Sequence, residues 1–192
     1  SWIDRVLTYG LDAPYPEIAE PLWMMPGERL LPTGMKVENH RGPNRQPCRY
    51  MVVGAAPEYD EHRNKQYLST NAGRVLKGAL ESAGFDLKDV YYTSVMRVPR
   101  PLNASTFKQV WLRPGWEYFL EEFERLKPVA VLFMGAEACK LAFGTKYSLD
   151  SLRGQLQEFK SGTWTARAIG CNAHYSFASN TAGIESLIKQ LS

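Results

Sequence analysis

Four short apolar runs, each followed by a stretch that reads as helix, constrain the fold of this chain more than any other feature. They are Tyr50-Met51-Val52-Val53, Val90-Tyr91-Tyr92-Thr93-Ser94-Val95, Val129-Ala130-Val131-Leu132-Phe133-Met134 and Trp164-Thr165-Ala166-Arg167-Ala168-Ile169. The third is apolar throughout, as a central parallel strand is when both its faces are buried. The second is rich in β-branched and aromatic residues, which fit a pleated surface. Helices are predicted over about 72–83, 115–126, 136–143 and 182–191. In the first of these, Val75, Leu76, Ala79 and Leu80 fall on one face. Gly84 ends it, and Pro128 ends the second. Strand alternating with helix predicts an α/β fold: a three-layer α/β/α domain around a central, mostly parallel four-stranded sheet.

Composition narrows the class. The chain has 192 residues, enough for one domain with its own core. It is 44% hydrophobic and 22% charged, the balance of a soluble globular protein. No run reaches the length of a membrane span, and no secretory signal is visible. The cysteines Cys48, Cys139 and Cys171 form no CxxC pair. A reduced, cytoplasmic protein of a bacterial or phage-infected cell is the expectation. The net charge of +3 permits a nucleic-acid partner without arguing for one.

Residues 1–47 are rich in Pro, Gly and Trp but carry Ile18, Leu22, Trp23, Met24, Met25, Leu30 and Leu31. That apolar content argues against disorder. The expectation is an N-terminal arm over 1–47 packed on a domain over 48–192. The chain opens on Ser1, so it lacks an initiator Met or is one domain of a longer chain.

The first strand stops at Gly54 and Pro57, and some dozen polar residues lead to a helix that Thr70 or Asn71 can cap. In an open α/β sheet, ligands bind outside the carboxyl ends of the strands. Glu58, Asp60, Glu61 and His62 crowd this loop as candidate acids or bases, or as an ordinary solvated surface. No phosphate-loop Lys is present.

The motif order is Gly54-Ala55-Ala56-Pro57-Glu58, Gln66-Tyr67-Leu68-Ser69-Thr70-Asn71-Ala72-Gly73-Arg74, Thr93-Ser94-Val95, Lys127-Pro128 through Gly135, Arg153-Gly154, and His174-Tyr175-Ser176. In that order and spacing it resembles the uracil-DNA glycosylase superfamily. The resemblance is closest to the bacterial and archaeal iron-sulfur branch, family four, with family five behind it. It covers about residues 48–191.

The resemblance implies a protein that flips a nucleotide out of the stack and breaks the N-glycosidic bond. It places Gly54, Ala55, Pro57, Tyr67, Ser94, Tyr175 and Ser176 around the base. Tyr67 stands where the family's stacking Phe stands. His174 keeps the final-motif His, which supports the charge on the departing base. The alternatives are an ordinary surface or core histidine at His174 and an ordinary core aromatic at Tyr67. Three positions depart from the family: Ala55 replaces the first-motif Glu, Ser94 the Asn that reads uracil, and Tyr175 the Pro after the His. Glu58 and Asp60 are the candidates to replace the missing acid. Arg97 and Arg100 are expected at phosphates, with Phe177 as a wedge into the base stack. The cysteines do not supply a cluster, so no cofactor and no metal are expected.

Three functions follow. One is a DNA-binding protein of glycosylase type, in base excision repair, with weak or altered excision of uracil or a modified pyrimidine. The second is a catalytically inactive module that binds DNA or protein, appended to a replication protein such as a phage DNA polymerase. The third is a different base-modifying reaction in the same pocket. DNA, through a flipped nucleotide, is the expected partner, with a replication protein as a further one and no membrane.

Overall fold

The computed structural model describes residues 25–30, 48–100, 105–144, 156–171 and 189. Their strands form one sheet: β1 (Glu28–Arg29), β2 (Tyr50–Gly54), β3 (Val90–Ser94), β4 (Ala130–Met134), β5 (Gln157–Ser161) and β6 (Trp164–Cys171). The helices are α1 (Tyr59–Asn64), α2 (Asn71–Ser82), α3 (Gln109–Leu126) and α4 (Ala136–Phe143), with a single 3-10 turn at Leu87–Asp89.

The sheet order is β1-β3-β2-β4-β6-β5. The inner strands β3, β2, β4 and β6 are parallel and match the four apolar runs. β1 and β5 are antiparallel additions at the two edges. Sequence patterning misses both, because β1 has two residues and β5 (Gln-Glu-Phe-Lys-Ser) buries only Phe159. The helix expected over 182–191 lies outside the described residues.

Alternate residues of each inner strand face opposite layers. Met51, Val53, Tyr91, Val131 and Phe133 pack with α3 and α4. Val52, Tyr92, Leu132, Met134 and Ile169 pack with α2. That makes three layers. On the α3 side, Phe119, Phe123, Phe133 and Phe159 form an aromatic cluster with ring centroids 5.0–6.1 Å apart. Burying each ring is worth about 1.5–3 kcal/mol.

Helix ends follow local chemistry. Thr70 caps α2 by accepting the Gly73 amide at 3.4 Å. Lys127, left-handed at φ 49°, closes α3 just before Pro128. α4 runs between Gly135 and Gly144, both at φ 94°. α3 begins earlier than predicted and runs through Pro114, which has no amide hydrogen to donate. As the sixth residue of the helix it removes one internal amide donor, and the helix continues through it.

β3 lies on one side of β2 and β4 on the other. The strand order therefore reverses at β2, and the crevice outside its carboxyl end is the natural ligand position in such a sheet. Among the described helices, none is long and apolar enough to cross a membrane.

Candidate functional site

Parallel register places Gly54 of β2 directly beside Ser94 of β3. Gly54 is required there, because a Cβ would collide with the Tyr92 hydroxyl. The two loops leaving these strands are then joined. Val95 donates its amide to the Gly54 carbonyl and Met96 to the Ala55 carbonyl, each at 2.9 Å. Ala55 is partly exposed and Pro57 buried.

Tyr67 returns to this point from the far end of the loop. Its ring is 1% exposed and lies 5.2 Å, centroid to centroid, from Tyr92. Its hydroxyl sits 2.8 Å from Ser94 Oγ and 3.1 Å from the Met25 carbonyl. Ser94 Oγ in turn donates to the Met96 carbonyl at 2.6 Å. Both hydroxyls are thus engaged inside the protein. Burial raises the Tyr67 phenol well above its ordinary range, so it stays protonated.

The loop acids divide into outside and inside. Asp60 is solvent-facing and paired with Arg63 at 3.4 Å, an exposed i,i+3 contact of small energetic weight. Glu58 caps α1 and closes a capping box with Glu61, whose Oε1 accepts the Glu58 amide at 3.0 Å. Glu61 is 1% exposed, and its Oε2 accepts the Leu68 amide at 2.6 Å. Burial pushes its carboxyl up to about 7. Glu28, at the sheet edge, is 2% exposed and accepts the Tyr67 amide at 2.7 Å. The loop composition pointed to Glu61 among its neighbours. Nothing local pointed to Glu28, which arrives through β1.

A raised folded-state pKa makes Glu61 stabilising while protonated and costly once ionised. Its contribution is fully present below the unfolded value near 4.5 and is lost as pH rises through about 7. Relative to Glu61→Gln, the unmodified chain should lose up to about 3 kcal/mol across that window. Urea midpoints of the two proteins at mildly acidic and mildly alkaline pH measure it. Parallel pH curves for the two proteins would contradict it.

Arg97 departs from its expected place at a phosphate. It is 0% exposed and ion-paired with Glu122 of α3 at 2.5 Å. Glu122 also accepts from the Tyr91 hydroxyl, from Thr93 Oγ1 at 2.8 Å and from the Gly27 amide at 3.1 Å. Burial alone opposes the Arg97 charge, and the Glu122 carboxylate more than restores it. The residue ties β3 to α3 and does not reach the surface. Arg100 does. It is exposed, its guanidinium lies 5.2 Å from the Phe107 ring centre, and it donates to the Ser105 carbonyl at 3.4 Å. Lys108, also exposed, lies over Trp111 at 5.2 Å at the start of α3. His174, Tyr175, Ser176 and Phe177 lie outside the described residues. β6 ends at Cys171, level with Met134 at the carboxyl end of β4.

The model of the uracil DNA glycosylase superfamily matches residues 44–186, well over half of the chain. The chain belongs to that superfamily. A DNA polymerase of Bacillus phage SP01 is 30% identical over 122 residues, covering 62% of this chain and 13% of that protein. The glycosylase-like chain thus spans a small part of that relative's length.

The glycosylase branch that the motifs most resemble carries an iron-sulfur cluster, and the residues present do not fit one. Cys48 precedes β2 and Cys171 ends the parallel strand β6, so they lie at opposite ends of the sheet. The Cys48 thiol donates to the Asp89 carbonyl at 2.9 Å. Burial pushes both the Cys48 and Cys139 thiols up to about 11, away from the thiolate a metal needs.

Proposed function

We propose that this uracil-DNA glycosylase-like chain binds DNA and accommodates a flipped uracil or modified pyrimidine at the carboxyl ends of β2 and β3, with weak or altered excision. The observation that carries this is the superfamily match over residues 44–186, and the 2.8 Å contact between Tyr67 and Ser94 brings two of its motif positions together. These residues lie 27 apart in sequence, at the positions that the family uses for stacking and for base reading. An Asn there offers a donor and an acceptor on one rigid amide. Ser94 offers one hydroxyl, and that hydroxyl is already shared with Tyr67 and Met96. Fewer hydrogen bonds to the base edge mean weaker rejection of the wrong base.

The first-motif position holds Ala55, which has no charge to set beside a cationic sugar. Asp60 faces solvent and Glu58 caps a helix, so neither is free of another role. His174, which the family uses to support the departing base, would then supply what excision there is. A cleavage and binding panel tests this, using single- and double-stranded oligonucleotides with uracil, hydroxymethyluracil, hypoxanthine or xanthine. Binding with slow excision of the pyrimidines supports the proposal. Excision of uracil as fast as in ordinary glycosylases opposes it.

The similarity to part of a phage DNA polymerase favours a second reading, a glycosylase-like module working beside a replication protein in an infected cell. In that case DNA binding persists and no base is released.

Arg100 is the proposed phosphate contact. Arg100→Ala should weaken binding to all sequences alike and reduce the slope of log K against log salt by about 1. Titrations at several salt concentrations read this directly, and an unchanged slope removes Arg100 from the interface.

A further inference from the structure

The segment carrying Tyr67 is held by two buried carboxylates on successive amides. Glu28 Oε1 accepts the Tyr67 amide at 2.7 Å, and Glu61 Oε2 accepts the Leu68 amide at 2.6 Å. The other oxygen of Glu61 reaches back to the Glu58 amide at 3.0 Å, so one side chain spans both ends of the loop. Leu68 is fully buried with φ 57°, a left-handed conformation that a leucine adopts at a cost. Gly73 packs so closely under Leu68 that a Cβ would collide with the Leu68 backbone. A strained residue persists where its surroundings over-determine it. Placing two acids inside a protein is expensive, and here both are spent on holding one turn of backbone.

We propose that Glu28 and Glu61 are positioning residues, a paired-carboxylate clamp that closes on the Tyr67 and Leu68 amides and so fixes the Tyr67 ring and hydroxyl against Ser94. The proposal rests on the assignment of Tyr67 and Ser94 to the base-binding position.

The clamp is sensitive to protons. Glu61 is raised to about 7 by burial, and the nearby charges of Glu58 and Glu28 push the same way. Among the described residues, the other ionisable groups facing it include Lys77 of α2, whose charge favours the anion, Tyr67, and Tyr92 of β3. An N–H bond to a carboxylate anion is stronger than one to a neutral acid. Burial outweighs these amide bonds, so the closed clamp is favoured while Glu61 is protonated and loosens as pH rises through about 7.

The test is an amide-resolved NMR titration of the 192-residue chain without DNA, from mildly acidic to mildly alkaline pH. The Tyr67 and Leu68 amide signals should move together with one midpoint near 7. Glu61→Gln should abolish that transition. Glu28→Gln should leave it in place but lower its midpoint, because a like charge has been removed. Binding of a uracil-containing single strand should weaken as pH rises over the same window in the unmodified chain and stay flat in Glu61→Gln. Amides that do not titrate together, or that still titrate in Glu61→Gln, overturn the clamp. Amides that titrate as expected, with no uracil-DNA binding at any pH, uphold the clamp and overturn the base-binding assignment beneath it.

Discussion

Glu122→Ala is expected to destabilise the fold by about 3–5 kcal/mol, because it removes the carboxylate paired with a buried cation. Arg97 has no exposed surface, and Glu122 is the carboxylate that faces it at 2.5 Å. The same carboxylate takes the Tyr91 hydroxyl, Thr93 and the Gly27 amide. Removing it leaves several buried donors with one acceptor fewer each, beyond the loss of charge pairing. The paired substitution Arg97→Met with Glu122→Leu should be far milder, because replacing both charges by apolar groups also removes their desolvation cost. Denaturant midpoints separate the cases. A single variant within about 1 kcal/mol of the unmodified chain would show that the network is not what joins β3 to α3. The network's place matters for function. The network holds Tyr91 and Thr93 of β3, the latter next in sequence to Ser94, which carries the proposed base-reading hydroxyl.

Ala55→Glu is expected to raise uracil excision by about 10²–10⁴-fold, the usual range for a well-placed acid or base. Breaking the glycosidic bond leaves positive charge on the sugar and negative charge on the base. A carboxylate beside the sugar lowers the first cost, and His174, in its proposed role, lowers the second. Position 55 is partly exposed, and its carbonyl is fixed by the Met96 amide, so a longer side chain need not disturb the backbone. His174→Ala should then abolish the excision that remains. Single-turnover cleavage of uracil-containing oligonucleotides reads both variants. An unchanged rate in Ala55→Glu, over a fast unmodified enzyme, would mean that another group activates water, Glu58 or Asp60 being the sequence candidates. An unchanged rate over no excision at all, with DNA still bound, would mean a DNA reader.

The inner strands were legible because each is a run of apolar or β-branched residues with a turn signal at its end. α4 was legible at both ends because glycines bracket it. β5 was not, since an edge strand needs only one inward residue and Phe159 supplies it. The start of α3 was obscured by Pro114, which reads as a helix breaker and yet stands as the sixth residue of a continuous helix. At the site, motif order was enough to bring Gly54, Tyr67 and Ser94 into one account. It did not reveal that the Tyr67 hydroxyl is buried against Ser94, because that depends on a loop returning over the sheet. Arg97 looked like a phosphate ligand for a similar reason. Its partner Glu122 is 25 residues away on α3, and no local pattern announces the pairing. Glu28 and Glu61 are ordinary acids in sequence and become unusual only once burial places them on adjacent amides.

The central claim is that a base leaves the stack and enters the position beside Tyr67 and Ser94. Fluorescence of 2-aminopurine placed next to uracil in a duplex tests it most directly, because the probe brightens when its neighbour unstacks. Binding of the unmodified chain should raise the signal at uracil and leave it unchanged at an ordinary thymine. Saturable binding to the uracil duplex with no change in fluorescence would contradict the account.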